Sequence, residues 1–354
     1  MAERRADGAG MLPAPDDAGS DLLSMLVDTS WVSSQYDHML FLNTVEGPGG
    51  DAAVLRLKHP DTGVDTGRGL AVTTDGNHLW AAVDPRRAAA MTVAESVMNL
   101  AVVGARPIAL VNCLNFGNPE HPEVMWQLSE TVDGMSEALV AFDVPCIGGN
   151  VSLYNESRGQ DIDPTPIVGV LGMVDRLDNR PPGVRLVDGG RLLLVGETVP
   201  ELSGSQWAAD RGHRGRGTLP TLDLDAVASV AGVVRELVGA GLVLGAHDVS
   251  RGGVALALAE MAVRSGVGFS VARMADHAAL FSESSGRALL CVAPDQLRAV
   301  LDVLEANGVP NSRIGAAGGD RLVIKDHLDI ALGDAVAAHR DRLPEALGSG
   351  TTQG

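Results

Sequence analysis

The segment Arg87 to Gly104, R-A-A-A-M-T-V-A-E-S-V-M-N-L-A-V-V-G, constrains the fold more than any other part of the chain. It has no internal proline or glycine and reads as a strong helix. It is apolar on almost every side, so it must be buried over most of its circumference. Its polar residues are Thr92, Glu95, Ser96 and Asn99. Their helical spacing puts them in one stripe on one face. A buried stripe containing a carboxylate needs a partner. Glu95 and Asn99 offer oxygen atoms one turn apart, which suits a hard divalent cation such as Mg²⁺. A stripe hydrogen-bonded to another element, or one facing water, fits the same pattern.

Around this helix the chain alternates strands and helices. Strands are expected at 51–57, 69–75, 107–114, 144–147 and 167–174, with a further helix at 121–142. The stretch Arg176 to Gly190 carries two prolines and three glycines and marks a domain boundary. Beyond it, strands are expected at 192–195, 242–246, 288–292 and 322–324. Helices are expected at 224–239, 253–265 and 295–307, with a last amphipathic helix from about Asp329. This order implies an α/β or α+β protein of two mixed domains, residues 21–178 and 188–345, after a tail or linker remnant at 1–20.

Composition narrows the function. Aromatic residues are only 3% of the chain, so the cores must be built from Ala, Val, Leu and Met. No apolar run reaches the roughly 18 residues that a membrane helix needs, and residues 1–20 lack the apolar region of a secretory signal. A formal charge of −18 argues against nucleic acid. It leaves nucleotides open, because backbone N–H groups and a divalent cation can hold phosphate without net positive charge. Cys113, Cys146 and Cys291 form no metal or disulfide pattern and read as reduced core residues of a cytoplasmic protein.

Four segments could carry chemistry. Glu46 to Val54, E-G-P-G-G-D-A-A-V, places Asp51 after a glycine-rich turn that is either an ordinary tight turn or a phosphate approach. Ala246 to Gly253, A-H-D-V-S-R-G-G, joins a strand to a helix. There Ser250 is either an N-cap or part of an anion site, with His247 and Asp248 in the turn. Asn112 to Glu123 and Gly148 to Ser157 each follow an apolar strand and supply neutral amides and hydroxyls, suited to holding a polar ligand. The glycines of V-P-C-I-G-G-N-V-S would let backbone approach a phosphate at the end of a buried strand. The basic loop Arg211 to Gly217 reads as solvated.

Taken together, Q-Y-D-H-M (35–39), C-L-N-F-G-N-P-E-H-P-E (113–123), I-G-G-N-V-S-L-Y-N-E (147–156) and A-H-D-V-S-R-G-G (246–253) resemble phosphoribosylformylglycinamidine synthase, small multi-subunit type. The resemblance implies an aminoimidazole ribonucleotide synthetase-like fold: an N-terminal α/β domain that forms a barrel-like dimer, then a C-terminal α+β domain. It covers only the second of the two units that such synthetase chains carry. Leu12 to Asp17, L-P-A-P-D-D, resembles the junction between the halves, as if Met1 began a truncated or split product.

The implied reaction is the ATP- and Mg²⁺-dependent amidation of formylglycinamide ribonucleotide. The implied partners are the N-terminal half of the synthetase, a glutaminase subunit and a small accessory subunit, with a homodimer also possible. The resemblance carries Asn112 and Gly149 to nucleotide contacts, Asn150 to a metal ligand and Ser152 to a substrate contact. It carries Asp51, Glu95, Asn99 and Asp248 to the Mg²⁺ ligands of an auxiliary nucleotide site, with Ser250 touching the nucleotide. It identifies no catalytic residue, because the family's catalytic histidines belong to the first half. The expectation is that all these groups converge on one cation and its polyphosphate.

Overall fold

The structure is a computed structural model that describes residues 12–348. Its N-terminal part holds α1 (Ala18–Met25), α2 (Trp31–Ser34), β1 (Thr44–Glu46), β2 (Ala53–Lys58), β3 (Asp65–Gly76), α3 (His78–Val83) and α4 (Pro85–Val102). There follow β4 (Arg106–Asn115), α5 (Pro122–Ala141), β5 (Cys146–Ser152), β6 (Glu156–Ser157), β7 (Gln160–Asp161) and β8 (Thr165–Val174). The C-terminal part opens with β9 (Arg191–Val195), α6 (Gln206–Asp210), α7 (Leu224–Gly239), β10 (Gly245–Asp248), α8 (Gly253–Ser265), β11 (Phe269–Val271) and α9 (His277–Phe281). It closes with β12 (Ala288–Val292), α10 (Leu297–Ala306), β13 (Asn311–Ala317), β14 (Arg321–Ile324), β15 (Leu328–Ala331) and α11 (Leu332–Ala346).

Six strands form the first sheet in the order β1-β2-β3-β8-β4-β5. All neighbours are antiparallel except β4 and β5, which are parallel because the helix α5 carries the crossover between them. Seven strands form the second sheet, β10-β12-β9-β13-β11-β14-β15, antiparallel except for β11 with β14.

Helix α4 sits between the two domains, which explains its composition. Asp84 caps its first turn by accepting from the Arg87 N–H, and Pro85 occupies the first turn, where no intrahelical N–H is needed. Ala89, Ala90, Val93 and Leu100 pack into the core under the first sheet. Ala94, Val97, Met98 and Ala101 pack with Val230, Val234 and Leu290 of the second domain. Two buried faces leave only a narrow strip for polar groups. At the α4–α5 contact the helices approach so closely that a Cβ on Gly134 would overlap the Arg86 carbonyl oxygen.

Several expectations need correction. Residues 1–11 of the expected tail lie outside the described residues. From Leu12 onward the chain is not a tail, since Leu12, Leu22, Met25 and Leu26 are buried in the core of the C-terminal domain. Residues 21–26 therefore pack with the second domain rather than the first. Asp21 holds them there by accepting from Trp207 Nε1 at 2.9 Å and pairing with Arg211. The basic loop is correspondingly anchored: besides Arg211, its Arg214 pairs with Asp163 at 2.8 Å. The expected last helix begins at Leu332, because residues 328–331 pair with β14 as a strand. The short strands β11 and β13 had no alternating pattern; β13 forms against the edge of β9, and β11 lies between β13 and β14.

The strand ending in Gly-Gly-Asn-Val-Ser is not buried. β5 is an edge strand, with Ile147 68% exposed and Cys146 exposed, so Cys146 is not a core cysteine; Cys291 is, and Cys113 is intermediate. Residues 148–152 lie within β5 rather than in a loop beyond it. The outward face of this sheet is apolar at Leu55, Val72, Val111 and Ile167, and Trp31, Tyr36, Phe41 and Leu42 are also bare.

Candidate functional site

Four elements deliver acidic groups to one place. The glycine-rich turn before β2 brings Asp51, the end of β3 brings Asp75, α4 brings its polar stripe, and β10 brings His247 and Asp248. Asp51, Asp75, Asn99, His247 and Asp248 border a cavity of about 350 Å³. The stripe has the partner its burial demands: Ser96 Oγ donates to Asp75 at 2.5 Å and Asn99 Nδ2 donates to Asp75 at 2.8 Å. Thr73 Oγ1 adds a third donor to the same carboxyl at 2.8 Å. Asn99 spends its N–H₂ group here, on Asp75 and Thr73. Thr92 donates only to the Ala88 carbonyl within its own helix.

His247 is clamped between carboxylates. Nδ1 lies 2.7 Å from Asp51 and 3.5 Å from Asp248, and Nε2 lies 3.0 Å from Glu260. Burial alone would lower its pKa, but Asp51, Glu260 and Asp248 outweigh burial and hold it well above the ordinary histidine value. Both ring nitrogens are thus engaged by carboxylates. The ligand atoms of Asp51, His247 and Asp248 lie within 4.8 Å of one another. With the ring nitrogens so engaged, the donors left for an ion are oxygens.

The carboxyls repel. Burial, then Asp75, Asp248 and Glu283, push Glu95 well above the usual range, opposed by the Ser250 hydroxyl. Burial, then Asp51, does the same for Asp248, opposed by His247. Burial lifts Asp75 to about 6. A divalent cation would relieve this repulsion, and an all-oxygen set of carboxylates and an amide could hold a hard cation such as Mg²⁺. Arg287, wholly buried, supplies one internal positive charge. Burial draws it down to about 10, which still leaves it cationic at neutral pH.

The expected site residues divide into two groups. Asp51, Asn99, Asp248 and Ser250 line one cavity, and Glu95 lines the adjoining one, which shares Ser250 and Asp75. Asn112, Gly149, Asn150 and Ser152 do not join them. They lie on β4 and β5, across β8 from β3, with Asn112 paired to Gly149 and Asn115 to Ser152. The expectation of a single convergence thus gives way to two sites. Asn112 Nδ2 faces Cys146 Sγ at 3.7 Å and Asn150 Nδ2 faces Cys113 Sγ at 4.0 Å. Gly149 makes room for the Asn112 side chain, because a Cβ there would overlap Asn112 Oδ1.

Sequence reasoning missed Asp75, Glu260, Glu283 and Arg287. Glu260 had a legible signal, since it is a lone carboxylate in the apolar run G-V-A-L-A-L-A-E-M-A-V, as Glu95 is in α4. Glu283 and Arg287 sit in an irregular segment with no pattern to reveal them.

Two family descriptions match the chain: the N-terminal domain of AIR synthase related protein over residues 49–174 and its C-terminal domain over residues 187–327. The chain belongs to the AIR synthase related proteins. It is 45% identical, over 91% of its length, to phosphoribosylformylglycinamidine synthase subunit PurL of Moorella thermoacetica, of which it covers 44%. The PurL subunit of Thermobifida fusca is 39% identical over 97% of this chain and 46% of that protein. The chain therefore spans about half the length of the curated relatives it matches. Among solved structures, T. maritima PurL complexed with FGAR shares the fold at a TM-score of 0.69 and 17% identity, over 92% of this chain and 54% of that one. The HypE–HypF complex matches at a TM-score of 0.61 and 18% identity, over 85% of this chain and 97% of the other. No helix of the described residues is long and apolar enough to cross a membrane.

Proposed function

We propose that this chain is the C-terminal unit of a phosphoribosylformylglycinamidine synthase. It contributes to the ATP-dependent amidation of formylglycinamide ribonucleotide in purine biosynthesis, in the cytoplasm. The observation that carries this reading is the 45% identity to a PurL subunit along 91% of the chain. In this reading the formyl amide oxygen is phosphorylated by ATP, and ammonia then displaces phosphate. The protein's share of such chemistry is positioning and charge neutralisation.

Asp51, Glu95, Asn99 and Asp248 would hold Mg²⁺, which neutralises a nucleotide's phosphates when bound. His247 fixes the Asp51 carboxylate, and Ser250 would touch the nucleotide. On β4 and β5, Asn112 and Gly149 would contact nucleotide, Asn150 a metal and Ser152 the substrate. Those residues lie on an exposed edge strand and its neighbour, so their site is completed by the N-terminal half of the synthetase. A solved structure described as PurLQS from Thermotoga maritima, 25% identical here, supports a glutaminase and a small accessory subunit as further partners.

A second reading, a nucleotide-stabilised scaffold without chemistry of its own, draws support from His247. Both its ring nitrogens are engaged by carboxylates, so it is not free to shuttle protons. The test is the amidation assay on this chain with ammonia, ATP and Mg²⁺, with and without the N-terminal half. The first reading expects turnover only when both are present. Turnover by the chain alone would overturn the division of labour, and none in the mixture would favour the scaffold.

A further inference from the structure

A second cavity, of about 490 Å³, opens where α1, α6, the turn before α8 and the last helix meet. Its wall contains Arg251 and Arg342, with Ser24, Met25, Gln206 and Asp210. Among the described residues, neither guanidinium makes a hydrogen bond or an ion pair. Arg251 acts at a distance on half-buried Glu260 and buried Glu283 but contacts neither. Asp210 is the one carboxylate among these wall residues, and it accepts from Gln206 Nε2 at 2.7 Å. The lining thus carries two cations against one carboxylate, in a chain whose formal charge is −18. A protein this acidic repels anions over most of its surface. A cavity with surplus positive charge is a local reversal of that field.

We propose that this cavity binds a phosphate-bearing small molecule, with its phosphate held between Arg251 and Arg342. Guanidinium groups present forked N–H donors that match phosphate oxygens. The cavity is much larger than one phosphate, and Met25, which is buried, gives the rest of such a ligand an apolar wall. Ser24 and Gln206 supply neutral polar contacts. This site is separate from the carboxylate cluster and needs no metal. It adjoins that cluster, because Gln206 and Arg251 also border the cavity that reaches Glu95 and Ser250.

The experiment is calorimetric titration of the full chain with inorganic pyrophosphate in the presence of EDTA, which removes the metal site from the measurement. One pyrophosphate per chain is expected. The dissociation constant should rise at least tenfold in Arg342→Gln and in Arg251→Gln and stay within twofold in Arg264→Gln, which borders the carboxylate cavity instead. Circular dichroism checks folding. Arg342 is exposed on α11, so that variant decides if Arg251→Gln misfolds. No binding in EDTA, an unchanged constant in Arg342→Gln, or a loss confined to Arg264→Gln would each overturn the proposal. None of these results bears on Mg²⁺ binding by the carboxylates, which is measured without the anion.

Discussion

Trp80 Nε1 donates to Glu283 Oε2 at 2.8 Å, a buried bond between α3 of the first domain and a loop of the second. The other oxygen of Glu283 accepts from the backbone N–H groups of Gln206 and Gly252, each at 2.8 Å. One carboxylate therefore ties together both domains and the turn that carries Ser250. Glu283→Ala would leave all three donors buried and unpaired. The expected loss is about 3 kcal/mol or more, read as a lower midpoint in urea unfolding.

Glu283 also has a pH consequence. Burial, although opposed by its three donors, holds its carboxyl above the ordinary glutamate value. A carboxyl with a higher pKa in the folded state binds protons more tightly folded than unfolded. Its contribution to stability is therefore greatest at low pH and declines as pH rises through the unfolded value, about 4.5, and on through the folded one. Glu283→Gln should flatten that part of the stability profile. An unchanged slope from about pH 4.5 to 7 would show that the group does not titrate there.

Glu95→Gln separates stability from binding. The native carboxylate is crowded by Asp75, Asp248 and Glu283 and held well above its ordinary pKa. Replacing it with a neutral isostere should raise the melting temperature of the metal-free protein while reducing the added stabilisation by Mg-ADP. Thermal melts with and without Mg-ADP check both signs. An intact Mg-ADP shift would remove Glu95 from the site.

Asn150→Ala has the opposite profile. Asn150 lies on the exposed edge strand and makes only a weak contact, 4.0 Å to Cys113 Sγ. Stability should change by no more than about 0.5 kcal/mol, while the reconstituted synthetase loses metal and nucleotide affinity. Calorimetry with Mg-nucleotide on the two-part enzyme is the measurement, and equal affinity would reject the role.

The bare apolar sheet face predicts an interface. Val111→Lys places a charge on its outward surface without touching the core. It should weaken association with the N-terminal half by about tenfold or more if that face is buried in the complex. Analytical ultracentrifugation of the mixed chains decides it.

Much of this arrangement was legible in particular residues. The all-apolar helix with its stripe was visible because helical periodicity is local, and the glycine and proline runs marked the domain boundary for the same reason. Glu95 and Asn99 could be singled out by residue type on the helix stripe, whereas Asp51 and Asp248 stood out only through the family resemblance. Asp75 escaped notice because one aspartate at a strand end carries no pattern. Its importance appears only when Ser96, Asn99 and Thr73 are seen donating to it. β5 was read as buried because its residues are apolar, yet strand order places it at the edge of its sheet, where no further strand covers it.

The sequence alone determined the longer helices and strands, that α4 must be enclosed, and which residues could offer oxygen to a cation, since these follow from short-range periodicity and side-chain chemistry. The tertiary structure decided which of those oxygens meet. It separated the β4–β5 group from the cluster around His247 and turned residues 12–26 back onto the second domain. Those outcomes depend on strand order and long-range packing, and no local pattern encodes the distance between residues far apart in the chain.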